Sequence, residues 1–217
     1  MNAEERCQLT ASHGHVESAD PRSQSASRAS SSIARVALAH LPDDGVVFVD
    51  SGAMAVHVAQ SFAEAVTAGG TGNAAALSFV THSIPVALEL ASNSDTDVQL
   101  LGGSVNHLAQ STAGDTTLRT LALMRAKVAV IDADALTVNH GLSTDDAQQA
   151  AVKSAMVTNA EKVVVLCNSA RFGQEAVVSY APLDSIDVLI TDADASDEVV
   201  QKLSEHGINV VRTDPDH

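Results

Sequence analysis

Short runs of apolar residues alternate with amphipathic stretches through most of the chain. Several runs, among them 46–49, 128–131 and 163–166, contain no polar residue at all. Continuous apolar runs of this length predict strands that are buried on both faces, as in a parallel sheet between layers of helices. The pattern predicts seven strands, at 46–50, 77–81, 97–101, 127–131, 163–167, 187–191 and 208–212, and five helices between them, at 53–67, 84–92, 115–125, 146–159 and 195–206.

The alternation of strands and helices predicts the fold class. We expect an α/β protein with a Rossmann-like, open, mostly parallel sheet that carries helices on both faces. In sheets of this kind, ligands bind beyond the C-terminal ends of the strands. The residues that directly follow each predicted strand are therefore the candidates for function.

The first 31 residues follow a different pattern. Residues 18–31 are rich in serine and lack apolar periodicity, which predicts a flexible linker, and residues 3–16 are long enough for one short helix. Ser32 is the predicted N-cap of a helix that starts at Ile33. We therefore divide the chain into an N-terminal segment with a linker, 1–31, and a single domain, 32–217.

Composition and charge narrow the classes of function. Hydrophobic residues make up 45% of the 217 residues but aromatic residues only 2%, so the core must consist of Val, Ala, Leu and Ile. The formal net charge of −15 disfavours binding to nucleic acid by this chain alone. No apolar run approaches the ~20 residues that a membrane span needs, and the polar N-terminus lacks the apolar region of a signal peptide. We expect a cytoplasmic protein without contact to membranes.

The cysteine pattern indicates neither a disulfide framework nor a zinc site. The two cysteines, Cys7 and Cys167, are far apart, and Cys167 ends an apolar run, which predicts a buried thiol. A metal site built from Asp132 and Asp134 stays an open alternative. Our expectation is that the protein uses no metal and no cofactor.

The first predicted strand ends in the turn Asp50-Ser51-Gly52, and a helix follows directly. Glycine permits a tight turn, and the free N–H groups at the start of a helix attract an anion such as a phosphate. The alternative is that Asp50 or Ser51 merely caps the helix.

Other strand ends also carry residues that suit a ligand. Each residue on its own also fits a structural role, such as a hydrogen-bonded histidine or a glycine in a turn. The candidates are Thr81 and His82 after the second strand, Gly102 and Gly103 after the third, Asp132 and Asp134 after the fourth, with Gly141 and Lys153 further along, and Asn168 and Arg171 after the fifth.

Five stretches occur in an order that resembles a known family. They are "VVFVDSGAM", "LSFVTHSIPVALEL", "VQLLGGSVNHLAQSTAG", "GLSTDDAQQAAVKSAMVTNAEKVVVLCNSARFG" and "LDSIDVLITD". From residue 32 onwards, the chain resembles the C-terminal effector domain of the DeoR family of bacterial sugar-metabolism repressors. The resemblance implies a sensor fold related to ribose-5-phosphate isomerase, a phosphorylated sugar or related metabolite as the ligand, and a homo-oligomer. In this family, ligand binding usually releases the repressor from its operator.

The chain departs from the family pattern in the loops that would hold the ligand. Where the family commonly has Asp-x-Gly-Thr-Thr, this chain ends the motif with Ala53 and Met54, so two hydroxyls are missing. Where the family has Asp-Ser-Ser-Lys-Phe-Gly, Arg171 keeps the positive charge but Asn168 replaces the carboxylate. We infer either that the effector differs from the usual sugar phosphate or that its affinity is weak.

The resemblance and the strand-end positions together define the expected ligand-binding residues. No catalytic and no metal-binding residues are expected. The set is Asp50, Ser51, Gly52, Ala53, Thr81, His82, Gly102, Gly103, Asp134, Gly141, Lys153, Asn168 and Arg171.

A repressor of this family also carries a winged helix-turn-helix before the sensor domain. Here "AEERCQLTASHGHV" resembles the first helix of that module, and no recognition helix follows it. Because a recognition helix is the part that enters the major groove, we expect no specific operator binding by these 217 residues themselves.

Three functions stay open at this point. The first is a ligand-sensing domain of a regulator of sugar metabolism. The second is a truncated paralogue that pairs with a full-length repressor. The third is an aldose–ketose isomerase of the related fold, in which Asp132 or Asp134 would be the base and Lys153 or Arg171 its electrostatic partner.

Overall fold

The computed structural model describes residues 21–69, 74–92 and 96–213. Its helices are α1 (Pro21–Leu38), α2 (Ala53–Thr67), α3 (Ile84–Ala91), α4 (Asp115–Ala122), α5 (Ala147–Thr158) and α6 (Asp197–Glu205). Its strands are β1 (Gly45–Val49), β2 (Leu77–Thr81), β3 (Asp97–Leu100), β4 (Ser104–Asn106), β5 (Ser111–Ala113), β6 (Ala126–Asp132), β7 (Ala135–Thr137), β8 (Gly141–Thr144), β9 (Ala160–Leu166), β10 (Val178–Ala181), β11 (Val188–Thr191) and β12 (Asn209–Arg212).

The seven predicted strands form one sheet, which confirms the predicted α/β fold class. The strand order is β12-β11-β9-β6-β1-β2-β3, and all neighbouring pairs are parallel. From β1 the chain adds β2 and β3 on one side, and it later adds β6, β9, β11 and β12 on the other. The order therefore reverses between β1 and β6, which is the place where open α/β sheets bind ligands.

The two faces of the sheet bury two separate apolar clusters. On β1, Val47 and Val49 pack with the apolar residues of α1, α2 and α3, whereas Phe48 packs in the cluster that includes Leu121 of α4 and Met156 of α5. Successive side chains of a strand point to opposite faces. A run such as 46–49 is apolar throughout because both faces are covered.

The two smaller sheets were not predicted. One is antiparallel with the order β10-β8-β7, and the other is the hairpin β4-β5. Their strands are only three or four residues long and contain many serines and threonines, so they have no apolar run that would reveal them. Gly141 starts β8 with a positive φ of 71°, and a Cβ atom there would clash with the Ala181 carbonyl.

The prediction for residues 21–32 was wrong. Helix α1 begins at Pro21 and runs through the serine-rich stretch, so these residues are not a linker, and Ser32 lies inside the helix instead of capping it. Proline is well tolerated at the first helical position, and serine costs little in a helix whose later turns pack on the core. Here Ile33, Ala34 and Ala37 are fully buried.

The remaining expectations for the N-terminal segment stay predictions. The short helix expected at 3–16 and Cys7 lie outside the described residues, and the domain boundary at residue 32 is not tested. Cys167 is a buried free thiol, as predicted. No helix in the described part of the chain combines the length and the apolar character that crossing a membrane requires.

Replacing Phe79 of β2 by alanine should lower the free energy of unfolding by about 3–5 kcal/mol, because the ring is buried and the cavity would not refill. Its ring packs edge-to-face on Phe62 of α2 at a centroid distance of 4.7 Å. Chemical denaturation measures the loss. The control is Leu123→Ala, directly after α4, where the side chain is exposed and a change within about 0.5 kcal/mol is expected. Equal losses in the two variants would contradict this packing.

Candidate functional site

Asp50 is the first residue after β1, and its side chain is fully buried at the point where β1 and β6 end. Its backbone N–H donates to the Val130 carbonyl at 3.0 Å, which continues the pairing of the two strands. Its Oδ2 atom accepts a hydrogen bond from the Asp132 backbone N–H at 3.1 Å. The sheet itself therefore fixes a carboxylate between two strand ends.

Two basic side chains converge on this buried carboxylate. The Nζ atom of Lys153, on α5, donates to Asp50 Oδ2 at 2.5 Å and to the Asp132 carbonyl at 2.6 Å. The Nε2 atom of His82 lies 3.0 Å from Asp50 Oδ1, while its Nδ1 atom donates to the Thr112 carbonyl at 2.9 Å. Because Nδ1 must donate to a carbonyl, Nε2 can donate to Asp50 only when the ring carries two protons.

The charges of this cluster stabilise one another. Burial on its own would raise the pKa of Asp50, but the attraction of Lys153 and the hydrogen bond from His82 together hold that pKa below its ordinary value. Burial would likewise lower the pKa of Lys153, but Asp50 and further negative groups nearby raise it above its ordinary value. The geometry therefore keeps a carboxylate and an ammonium group charged in the interior. Asp50, His82 and Lys153 are called the buried ion cluster below.

The side chain of Asp132 contacts the first turn of α2. Its Oδ2 atom accepts hydrogen bonds from the backbone N–H groups of Met54, at 2.9 Å, and Ala55, at 3.4 Å. Gly52 makes this approach possible, because its φ is +122° and a Cβ atom there would clash with the Asp132 carboxylate. Burial raises the pKa of Asp132 to about 7, with Lys153 opposing the rise and Asp50 adding to it.

A cavity of about 430 Å³ opens beside Asp132, between the β1–α2 turn, the residues after β6 and the loop after β9. The exposed guanidinium of Arg171 lines it and has no hydrogen bond or ion pair to any residue in the described ranges. Asp134, whose side chain is 53% exposed, lines it as well and lies 3.8 Å from the Nζ atom of Lys153. The full lining is Ser30, Gly52, Ala53, Met54, Asp132, Ala133, Asp134, Asn168, Ala170, Arg171 and Gln174.

The cavity brings together five of the thirteen predicted ligand-binding residues. Three more predicted residues do not line the cavity, because their polar atoms bind one another in the buried ion cluster: Asp50, His82 and Lys153. The five are Gly52, Ala53, Asp134, Asn168 and Arg171.

The other predicted residues lie outside the lining. The hydroxyl of Ser51 donates to Gln149, and the Thr81 hydroxyl accepts from the Ser83 backbone N–H. Gly103 permits a close backbone approach, because a Cβ atom there would lie 2.6 Å from the Ala113 carbonyl oxygen. Gly102 directly precedes it, and Gly141 starts β8 as described above. For these residues a ligand-binding role stays a prediction.

Two polar residues of the lining were not predicted. Ser30 belongs to α1, in the stretch that the sequence pattern assigned to a linker. Gln174 follows Arg171 in a polar loop, and its Nε2 atom donates to the Ala170 carbonyl at 2.7 Å. Neither residue directly follows a strand, so the rule that selected the other candidates could not find them.

A metal site at Asp132 and Asp134 has no support in the geometry. Across residues 21–69, 74–92 and 96–213, no three His, Cys, Asp or Glu side chains gather as metal ligands. The Asp132 carboxylate is instead engaged by the N–H groups of α2.

Comparison with known proteins gives a family match and several similar proteins. Residues 25–193 match the family model described as the DeoR C terminal sensor domain. The HTH-type transcriptional regulator GlpR of Haloferax volcanii is 29% identical over 179 residues, which cover 82% of this chain and 66% of that protein. The glycerol-3-phosphate regulon repressor of Escherichia coli (strain K12) is 24% identical over 178 residues, which cover 82% of this chain and 67% of that protein.

A solved structure of D-ribose-5-phosphate isomerase in complex with phospho-erythronic acid is also similar. The TM-score is 0.46 with 19% sequence identity, and the match covers 66% of this chain and 52% of that chain. This chain therefore spans about two thirds of the length of the two curated relatives and about half of the solved isomerase.

Replacing Lys153 by methionine should lower the free energy of unfolding by about 3–5 kcal/mol, because the Asp50 carboxylate would lose its main charged partner in the interior. Chemical denaturation measures the loss. The double variant Asp50→Asn, Lys153→Met should regain part of the stability, since it leaves no uncompensated carboxylate.

Lys127→Met is the control, because that lysine pairs with Asp44 on the surface, where water screens the charges. A much smaller change is expected there. If the double variant lost as much stability as the two single variants combined, the two charges would not be coupled and the buried ion cluster would be refuted.

Proposed function

Because the chain belongs to the DeoR family of transcriptional regulators through its C-terminal sensor domain, we propose that it senses a phosphorylated sugar or a related small anion in the cavity beside Asp132. The cavity lies where β1 and β6 end, at the reversal of strand order. Its volume of about 430 Å³ suits a metabolite of the size of a sugar.

The guanidinium of Arg171, which has no partner among the residues that the structure describes, is the observation that carries this proposal. A guanidinium presents a planar fork of N–H donors that matches the oxygens of a carboxylate or a phosphate. Around it, Asp134, Asn168 and Gln174 offer the acceptors and donors that sugar hydroxyls need. A polyhydroxylated anion would satisfy both parts of this lining.

A regulatory role agrees better with the geometry than an isomerase. Isomerisation needs a carboxylate that is free to take a proton from the substrate. Of the two candidate bases, Asp132 is engaged by the N–H groups of α2, whereas Asp134 is exposed in the cavity. Lys153, a candidate electrostatic partner, is buried against Asp50 instead of facing the cavity. The two curated relatives described above are named as a regulator and a repressor. We therefore propose a regulator of sugar metabolism that acts in the cytoplasm, with operator binding left to a helix-turn-helix module.

Self-association is a second part of the proposal, supported by apolar side chains near the open edge of the sheet. β3 is an edge strand, and Leu100 at its end is exposed. Leu88 of α3, Val105 of β4 and Leu108 of the β4–β5 loop are exposed as well. Exposed apolar groups at an edge strand favour burial against another chain, and we propose a second copy of this protein as that chain.

Isothermal titration with a panel of sugar phosphates, sugar acids and the matching neutral sugars should identify at least one anion that binds more tightly than its neutral counterpart. Arg171→Ala should weaken this binding about 10- to 100-fold, the range expected for loss of a charged hydrogen bond. Arg119→Ala, an exposed arginine of α4 outside the cavity, is the control for the change in net charge.

A flat titration across the panel, with the protein shown to be folded, would refute the proposed sensing of a sugar-like anion. Equal weakening by Arg171→Ala and Arg119→Ala would refute the assigned role of Arg171.

Sedimentation velocity should show that the protein self-associates and that Leu108→Lys shifts it toward the monomer, because a buried lysine would be left without a partner. Val177→Lys, at a residue just before β10 that is also exposed, should leave the distribution unchanged. A monomeric wild-type protein, or equal shifts in both variants, would contradict an interface at the β3 edge.

A further inference from the structure

The start of helix α2 already holds an anion that belongs to the chain itself. Free backbone N–H groups and the positive end of the helix dipole make this position attractive to a negative group. The Asp132 carboxylate accepts the Met54 and Ala55 N–H groups and is only 8% exposed. An incoming phosphate would meet this carboxylate before it reached the N–H groups.

The surroundings reinforce the exclusion of a second anion. Ala53 and Met54 offer no hydroxyl to a phosphate. The charged residues of the cavity lining are Asp132, Asp134 and Arg171, so the lining carries more negative than positive charge. A dianion is therefore repelled at the α2 end, whereas a single negative group can still pair with Arg171.

We propose that Asp132 determines the ligand class of the cavity: it takes the anion position at the start of α2, so the cavity excludes a phosphate there and selects a polyhydroxylated carboxylate. The carboxylate of this ligand pairs with Arg171, and its hydroxyls donate to Asp132 and Asp134. This inference rests on the proposed sensing function and narrows its ligand from small anions in general to sugar acids.

The proposal has a pH dependence whose sign follows from the groups around Asp132. The negative charge of Asp132 is favoured by Lys153 of α5 and opposed by Asp50 at the end of β1 and by Asp134. The Cys167 thiol, directly after β9, interacts electrostatically with both Asp132 and Arg171. Burial raises the pKa of Cys167 well above its ordinary value, so this thiol stays neutral, and Asp50 stays ionised because its pKa is lowered. With its pKa raised to about 7, Asp132 loses its charge as the pH falls through that value. An oxyanion should then reach α2 more easily in acid.

Sulfate is the probe for the test, since it is tetrahedral like phosphate but keeps its charge across the pH range used. Backbone amide NMR shifts of Met54 and Ala55 report whether sulfate reaches α2, separately from any binding at Arg171. Asp132→Ala should bind sulfate at these amides about tenfold more tightly than the wild type at about pH 8. The wild type should gain affinity between about pH 8 and about pH 6, and Asp132→Ala should not.

Asp134→Ala is the matched control, because it removes the same charge from the same cavity without touching the α2 amides. It should change sulfate affinity at these amides by less than about threefold. If Asp132→Ala does not fold, Asp132→Asn keeps an acceptor for the Met54 N–H, and it should show a smaller gain in the same direction.

Equal gains in Asp132→Ala and Asp134→Ala would overturn the proposal, as would wild-type sulfate binding at the α2 amides that does not depend on pH. A sugar phosphate that shifts these amides in the wild type would also overturn it, while leaving the sensing function intact. Conversely, a flat ligand panel together with a gain of sulfate binding in Asp132→Ala would refute the sensing function and leave the role of Asp132 standing.

Discussion

The pairing of the buried Asp50 carboxylate with Lys153 is the interaction on which the C-terminal end of the sheet depends. A charge in the interior is tolerated only when its partners are held in place. Here Lys153 brings in α5, and His82 brings in the end of β2 and, through the Thr112 carbonyl, β5. The Nζ atom of Lys153 also lies 5.6 Å from the centroid of the Tyr180 ring on β10. One ion pair therefore fixes elements from both sides of the strand-order reversal.

Asp132 joins this buried layer to the cavity above it. Its backbone N–H donates to Asp50 and its carbonyl accepts from Lys153, so its main chain belongs to the ion cluster. Its side chain points the other way and contacts the first turn of α2. The polar groups that hold the strand ends together thus also set the charge of the cavity wall, so the stability of this region and its proposed selectivity would have a common origin.

The sequence pattern predicted the large sheet well because its strands are apolar on both faces, but it missed α1 and the small sheets, where serine and threonine hide the periodicity. For the site, the rule that ligands bind beyond strand ends led to Gly52, Asp134, Asn168 and Arg171, which share one cavity. The rule could not show that the side chains of Lys153 and His82 turn inward and do not line the cavity, because the direction of a side chain depends on packing. The contact between Asp132 and α2 joins residues 78 positions apart, so no local pattern could reveal it.

Ser30 places the N-terminal helix α1 in the wall of the cavity that we propose as the ligand site. The same helix packs its buried residues Ile33, Ala34 and Ala37 into the core beneath α2. Residues 1–20 are joined to the other end of this helix. Helix α1 therefore belongs both to the wall of the cavity and to the apolar core, so the two share one element of the fold.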